Sequence, residues 1–184
     1  TRMVCLGDIS GDGIPDLAIS ALNDSTNILG LEAYLEIRSG SDGAVISTLE
    51  QETDGQRFGY SMAAVDLNGD GFKDLAVGSP MAGAIGSTGL ASGRVQIFSG
   101  PSGRLLETVL GSQPFARMGS SVAGLDDLNG DGIAELAIGS PGDGGGSIGG
   151  GFVESTAPSV YPHLLQPTLS AGSRAAIELE NGAP

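Results

Sequence analysis

Three stretches of this chain share the pattern D-x-(S/N)-x-D-G-x-x-(D/E): Asp8 to Asp16, Asp66 to Asp74 and Asp127 to Glu135. Positions 1, 3, 5 and 9 of each supply side-chain oxygens. They are Asp8, Ser10, Asp12 and Asp16 in the first; Asp66, Asn68, Asp70 and Asp74 in the second; Asp127, Asn129, Asp131 and Glu135 in the third. The glycine after position 5 (Gly13, Gly71, Gly132) allows a sharp turn around a central point, so the carbonyl of the next residue, Ile14, Phe72 or Ile133, can serve as a further donor. Carboxylate, amide, hydroxyl and carbonyl oxygens, with no sulfur or imidazole, form a hard and flexible cage. Such a cage suits Ca²⁺, which takes roughly six to eight oxygens, better than the smaller and stricter Mg²⁺ or a thiophilic metal. The expectation is up to three Ca²⁺ sites.

An EF-hand loop begins the same way but needs a bidentate acid at position 12, between two helices. Position 12 here is Ile19, Val77 or Ile138. The closing acid stands instead at position 9, and Leu-Ala-Ile-Ser, Leu-Ala-Val-Gly and Leu-Ala-Ile-Gly follow it, short aliphatic runs that read as strands. The loop therefore joins two strands. D-x-N-G-D-G strings also form good turns without metal; three copies with the same four donor positions favour the cage.

The first acids lie 58 and 61 residues apart, which makes a unit of about 60 residues. Strands are expected before each loop, at Met3 to Leu6, Ser61 to Val65 and Ser121 to Leu125, and after each, at Leu17 to Ser20, Leu75 to Gly78 and Leu136 to Gly139. Third strands, Tyr34 to Arg38 and Arg94 to Phe98, end in Gly-rich hairpin turns that lead to fourth strands, Ala44 to Leu49 and Arg104 to Val109. Four short strands per unit describe a propeller blade, and the fold class expected is all-β.

Phe58-Gly59, the second acidic loop and Gly78-Ser79-Pro80 together resemble the FG-GAP repeat of integrin alpha-chain β-propellers and of many bacterial surface proteins. Met118-Gly119 through Gly139-Ser140-Pro141 is similar, with Met in place of Phe. The first copy departs at its ends: no Phe-Gly precedes it, and Ser20-Ala21-Leu22 stands where Gly-Ser-Pro is expected. The resemblance spans roughly residues 1 to 154. It implies an extracellular or cell-surface Ca²⁺-binding propeller that engages other proteins through its rim and upper face. The longest of the loops between strands, Ser79 to Ser92 with Gly83, Gly86 and Gly89, is the candidate contact loop.

The expected organisation is blades over 1–157 (about 1–52, 53–112 and 113–157), a linker over 158–167, and the start of a second small β-domain or a capping strand over 168–184. Propellers typically close with roughly four to eight blades. Three units therefore imply a piece of a longer polypeptide, several copies that complete one another, or an open array; the termini favour the first. Nine of the 22 acids lie in the loops, and three dications would bring the formal charge of −14 to −8. That charge disfavours nucleic acid and anionic membrane as partners, and no apolar run is long enough to span a bilayer. The partners expected are another protein or other copies of the chain. Asn23-Asp24-Ser25 is a sequon, which makes Asn23 a candidate N-glycan site in a glycosylating host. Cys5, aligned with Ala63, reads as a small buried core residue, and His163 as a linker side chain. With one His, one Cys and no G-x-S-x-G, nothing resembles a nucleophile with its base, so the chain reads as non-catalytic. Two alternatives remain: a structural subunit of a fibrous or multi-chain extracellular assembly, and an accessory domain of a secreted hydrolase.

Overall fold

The computed structural model describes residues 1–21, 34–50, 57–83, 91–111, 113–128, 130–142 and 152–156. Within them the chain forms three antiparallel sheets. The first runs β1 (Arg2–Gly7), β2 (Asp16–Ala21), β3 (Tyr34–Arg38) and β4 (Val45–Glu50), paired in that order. The second repeats it with β5 (Ser61–Val65), β6 (Asp74–Ser79), β7 (Arg94–Phe98) and β8 (Leu105–Leu110). The third contains β9 (Ser121–Gly124), β10 (Leu136–Ser140) and β11 (Phe152–Thr156), with β10 central. These are propeller blades. Each acidic loop joins the first two strands of its blade, and the predicted turns close β3–β4 and β7–β8, where Ser39 and Ser99 each accept the N–H of a left-handed glycine, Gly43 and Gly103. The Asn23 sequon, the linker and second-domain segment 158–184, residues 84–90 of the candidate contact loop and Asn129 lie outside the described residues.

Burial follows from the stacking of blades. β6 is buried along its whole length because blade 2 is covered on both faces, whereas β2 and β10 alternate because, among the described residues, a neighbouring blade covers only one face of each. Between blades 1 and 2 lie Leu6, Ala18, Leu35 and Ile37 against Phe58, Leu75, Val77 and Phe98, with the Phe58 and Phe98 rings edge to face at 6.0 Å. Between blades 2 and 3 lie Ala63, Ala76, Val95 and Ile97 against Met118, Leu136 and Ile138.

The Phe-Gly and Met-Gly pairs dock each blade onto the one before. Gly119 adopts φ 82, and a Cβ there would meet the Gly78 Cα at 2.9 Å and the Arg94 carbonyl oxygen at 2.6 Å, so no side chain fits. The glycine carbonyls are caught by serine. Ser20 Oγ donates to the Gly59 carbonyl at 2.9 Å, and Ser61 Oγ donates to that of Gly119 at 2.8 Å. In blade 1 this serine lies opposite Arg2; in blade 2 the serine has moved to the first strand and glycine, Gly78, faces it. The contact survives the exchange because opposed residues share one face. Ser121 opposite Gly139 repeats the blade 2 arrangement on the open face of blade 3.

One expectation is corrected here. Cys5 is exposed, not a core residue. A register shift between Cys5 and Gly7, with Gly7 at φ 77, adds a residue to β1. Cys5 consequently pairs with Leu17 as Ala64 pairs with Leu75, so its structural counterpart is Ala64, and it points to the side of blade 1 away from blade 2. Among the described residues no helix is long and apolar enough to cross a membrane.

Candidate metal centre

The three acidic loops are built alike from their own backbone. The carboxylate at position 1 accepts N–H bonds from the residues that curl around it. Asp8 accepts from Gly11, Asp12 and Gly13 at 2.7 to 3.0 Å. Asp127 accepts from Gly130, Asp131 and Gly132 at 2.7 to 3.1 Å. Asp66 accepts from Asn68, Gly69 and Gly71 at 2.7 to 3.3 Å. Such curling needs two left-handed residues per loop. Beside the glycine at position 6, the glycine at position 4 (Gly11, Gly69, Gly130) supplies the second, at φ between 74 and 81. The sequence reading missed these position 4 glycines, although the N-G-D-G string carries the signal.

At position 5, Asp12, Asp70 and Asp131 each accept the N–H of the residue two ahead at 2.8 Å. That residue is Ile14, Phe72 or Ile133. The side chains of Ile14 and Phe72 are 45% exposed, so only main-chain atoms of these residues serve the loop.

The position 9 acids are buried, and long-range contacts hold two of them. Asp16 Oδ2 accepts the Ile9 and Ser10 N–H groups, and Oδ1 accepts the Gly40 N–H at 3.0 Å. Burial pushes its pKa up, but this set of donors outweighs burial and holds the carboxyl below its ordinary value. Asp74 accepts the Leu67 N–H at 3.0 Å and a backbone bond from Gly100, yet burial dominates, reinforced by Asp70 and Asp66 nearby, and the carboxyl is pushed up to about 6. Gly40 and Gly100 sit in the β3–β4 and β7–β8 turns, 24 and 26 residues beyond the acids they serve, and were read from sequence only as turn residues. Each must be glycine, since a Cβ would lie 1.9 Å from the Pro15 carbonyl oxygen or 2.0 Å from that of Lys73.

Asn68 Nδ2 stands between Asp70 Oδ2 at 3.1 Å and Asp74 Oδ1 at 3.3 Å, a donor where a cation would otherwise balance two carboxylates. In the third loop, oxygens of Asp127, Asp131 and Glu135 all lie within 4.8 Å of one another. Glu135 is 4% exposed; its Oε2 accepts the Leu128 N–H at 2.7 Å, while Oε1 is buried with no hydrogen-bond partner. A buried carboxylate oxygen without a donor is costly unless a cation engages it. The third donor set therefore fits a hard cation on this orphaned oxygen as well as on composition. Of the predicted ligands, the structure brings this trio together most closely. Between the second and third loops a cleft of about 530 Å³ is lined by Asp66, Asp127, Lys73 and an additional acid, Asp126, which the motif did not single out.

The sequence profile of the FG-GAP repeat matches residues 58–98 and 118–153, the second and third of these units. The chain belongs to the FG-GAP repeat family. It is 34% identical to integrin alpha-V of Gallus gallus over 142 residues, 75% of this chain and 13% of that protein. It is 30% identical to integrin alpha-5 of Xenopus laevis over 162 residues (84% and 15%), and 32% identical to integrin alpha-8 of Mus musculus over 143 (75% and 13%). The chain thus spans about one seventh of the length of these relatives. The first unit lies outside the profile match, yet its loop repeats the hydrogen-bond pattern of the third, donor for donor, around Asp8.

Proposed function

We propose that this FG-GAP segment is a non-catalytic, calcium-stabilised propeller module of an extracellular or cell-surface protein, occupying 1–157 and serving adhesion or protein–protein contact. One observation supports the calcium role above others: the unpartnered buried Oε1 of Glu135 beside Asp127 and Asp131. In each loop the ion would be held by the acids at positions 1, 5 and 9, the oxygen donor at position 3 and the carbonyl at position 7. These are Asp8, Ser10, Asp12, Ile14 and Asp16; Asp66, Asn68, Asp70, Phe72 and Asp74; and Asp127, Asn129, Asp131, Ile133 and Glu135. Bound calcium neutralises carboxylates that otherwise repel, and it ties the turn between the first two strands to the blade. The backbone amides already committed to these acids fix the loop in advance, so little ordering accompanies binding. Similarity to integrin alpha chains supports the adhesion reading and the cell-surface location.

Titration calorimetry on the calcium-stripped chain tests the proposal. Up to three sites of sub-millimolar or tighter affinity are expected, and no heat of binding at millimolar calcium would refute it. A second reading, a subunit of a multi-chain assembly, is favoured by the open face of blade 1, where Met3 is 69% exposed. It predicts mass growth with concentration in light scattering.

A further inference from the structure

The two ends of the first strands are chemically opposite. The acidic loops leave the C-terminal ends of β1, β5 and β9. Between their N-terminal ends lies a separate cavity of about 360 Å³, with Arg2, Tyr60 and Ser121 on its walls and Met3, Met62 and Val122 supplying its apolar lining. Although the chain carries 22 acids, no carboxylate lines this cavity among the described residues.

The guanidinium carbons of Arg2 and Arg57 each lie 5.8 Å from the Tyr60 ring centroid. Stacking of this kind fixes a guanidinium while leaving its N–H edge free. Arg57 adopts φ 58, a left-handed conformation unusual for a non-glycine residue, and Arg117, at the same point of blade 3, adopts φ 56. Both are locked there. The Arg57 carbonyl accepts the Tyr60 N–H, and the Arg117 carbonyl accepts the Ser120 N–H and Oγ–H. All three arginines are exposed, one from blade 1, one from blade 2 and one from blade 3. The ion pair found among the described residues is Arg38 with Glu36, elsewhere on blade 1. A chain of strongly negative charge thus gathers uncommitted arginines at one end of its first strands.

We infer that this cavity receives the carboxylate side chain of an Asp or Glu from a partner protein. The carboxylate would meet the N–H edge of Arg2, and the apolar stem and a flanking aliphatic residue would rest on Met62 and Val122. A planar guanidinium suits a carboxylate through paired N–H···O bonds. The cavity stands at the small end of the roughly 300–1,000 Å³ typical of ligand sites, which fits one side chain and its neighbour better than a larger ligand. Arg57, stacked on the same tyrosine ring, extends the positive edge beyond a single residue, as an acidic peptide segment requires.

The inference rests on the proposed protein-binding role and is independent of calcium. Its test is a nuclear magnetic resonance titration of the whole 184-residue chain, in calcium, with the capped tripeptide acetyl-Gly-Asp-Leu-amide and its Asn isostere. Saturable shifts at the Arg2, Tyr60 and Ser121 amides are expected with the Asp peptide at about 1 mM, with binding about tenfold weaker for the Asn peptide. Arg2→Gln, an exposed change, should weaken Asp-peptide binding about tenfold, and Lys73→Gln at the other end of the strands should leave it unchanged. Absence of saturable shifts at about 10 mM peptide, equal binding of the two peptides, or an unaffected Arg2→Gln chain would each overturn the inference. A chain that binds calcium by calorimetry but fails these tests removes the carboxylate site and leaves the calcium module standing.

Discussion

Replacing Glu135 with Gln should stabilise the chain in chelator and forfeit most of the stabilisation that calcium adds. Carboxylate oxygens of Asp127, Asp131 and Glu135 lie within 4.8 Å of one another. At that separation two unit charges repel by about 0.9 kcal/mol in water and about 3.5 kcal/mol at the effective dielectric of a protein surface. Asp127 and Asp131 are exposed, so the lower end of the range applies to them, whereas Glu135 is buried. Gln removes two of the three repulsions and keeps an acceptor for the Leu128 N–H. In chelator the variant should therefore be more stable than the parent, by about 2 kcal/mol or more, the sum of two such repulsions at the lower end of the range. Calcium at one hundred times its dissociation constant stabilises the parent by about 2.7 kcal/mol per site, and an about hundredfold weaker site gains only about 0.4 kcal/mol at the same concentration. Thermal unfolding followed by circular dichroism, in calcium and in chelator, reads both quantities, at roughly 2–4 °C per kcal/mol for a chain of this size. An equal calcium-induced rise in melting temperature in parent and variant would refute the assignment of Glu135 as a ligand.

Further expectations follow from the same geometry. Without a cation, the Asp74 pKa of about 6 lies above its ordinary 3.8. Its contribution to stability is therefore present below about pH 4 and lost as pH rises through 6, while saturating calcium, which binds the ionised form, should reverse the slope; a pH series of denaturation midpoints that is flat in both conditions would contradict this. The lowered pKa of Asp16 acts oppositely, its contribution being lost only as pH falls below about 3.8. Gly78→Ala places a Cβ 2.2 Å from the Gly119 carbonyl oxygen and should destabilise by about 1–3 kcal/mol or more through the blade interface, with slower refolding permitted. Gly11→Ala, in open space at φ 80, should cost only the left-handed strain of about 1–2 kcal/mol and leave that interface intact; identical protection from hydrogen exchange at Gly119 in both variants would contradict the distinction. Cys5 should react with a thiol reagent in the native 184-residue chain as readily as a free thiol, whereas protection until global unfolding would restore the core assignment.

The chemistry of the loops was written in the order of residues. Donor positions 1, 3, 5 and 9, the strands on either side and the Gly-rich hairpins all concern groups within a few residues of one another, where chain geometry leaves few options. Tertiary structure decided what passes between strands and between blades. The Gly40 and Gly100 amides reach acids 24 and 26 residues away because the far hairpin folds beneath the loop, a closeness no spacing rule encodes. The bulge at Gly7 reversed the direction of Cys5, since one added residue turns a side chain to the other face of a strand, and motif alignment on Asp8 and Asp66 conceals it. The burial of Glu135, the serine that captures each Gly59 or Gly119 carbonyl, and the approach of Arg2 and Arg57 to one tyrosine ring likewise depend on how neighbouring sheets stack. Sequence determined which atoms could bind a cation; packing determined which of them are dry, which are already paired and which carboxylates face one another.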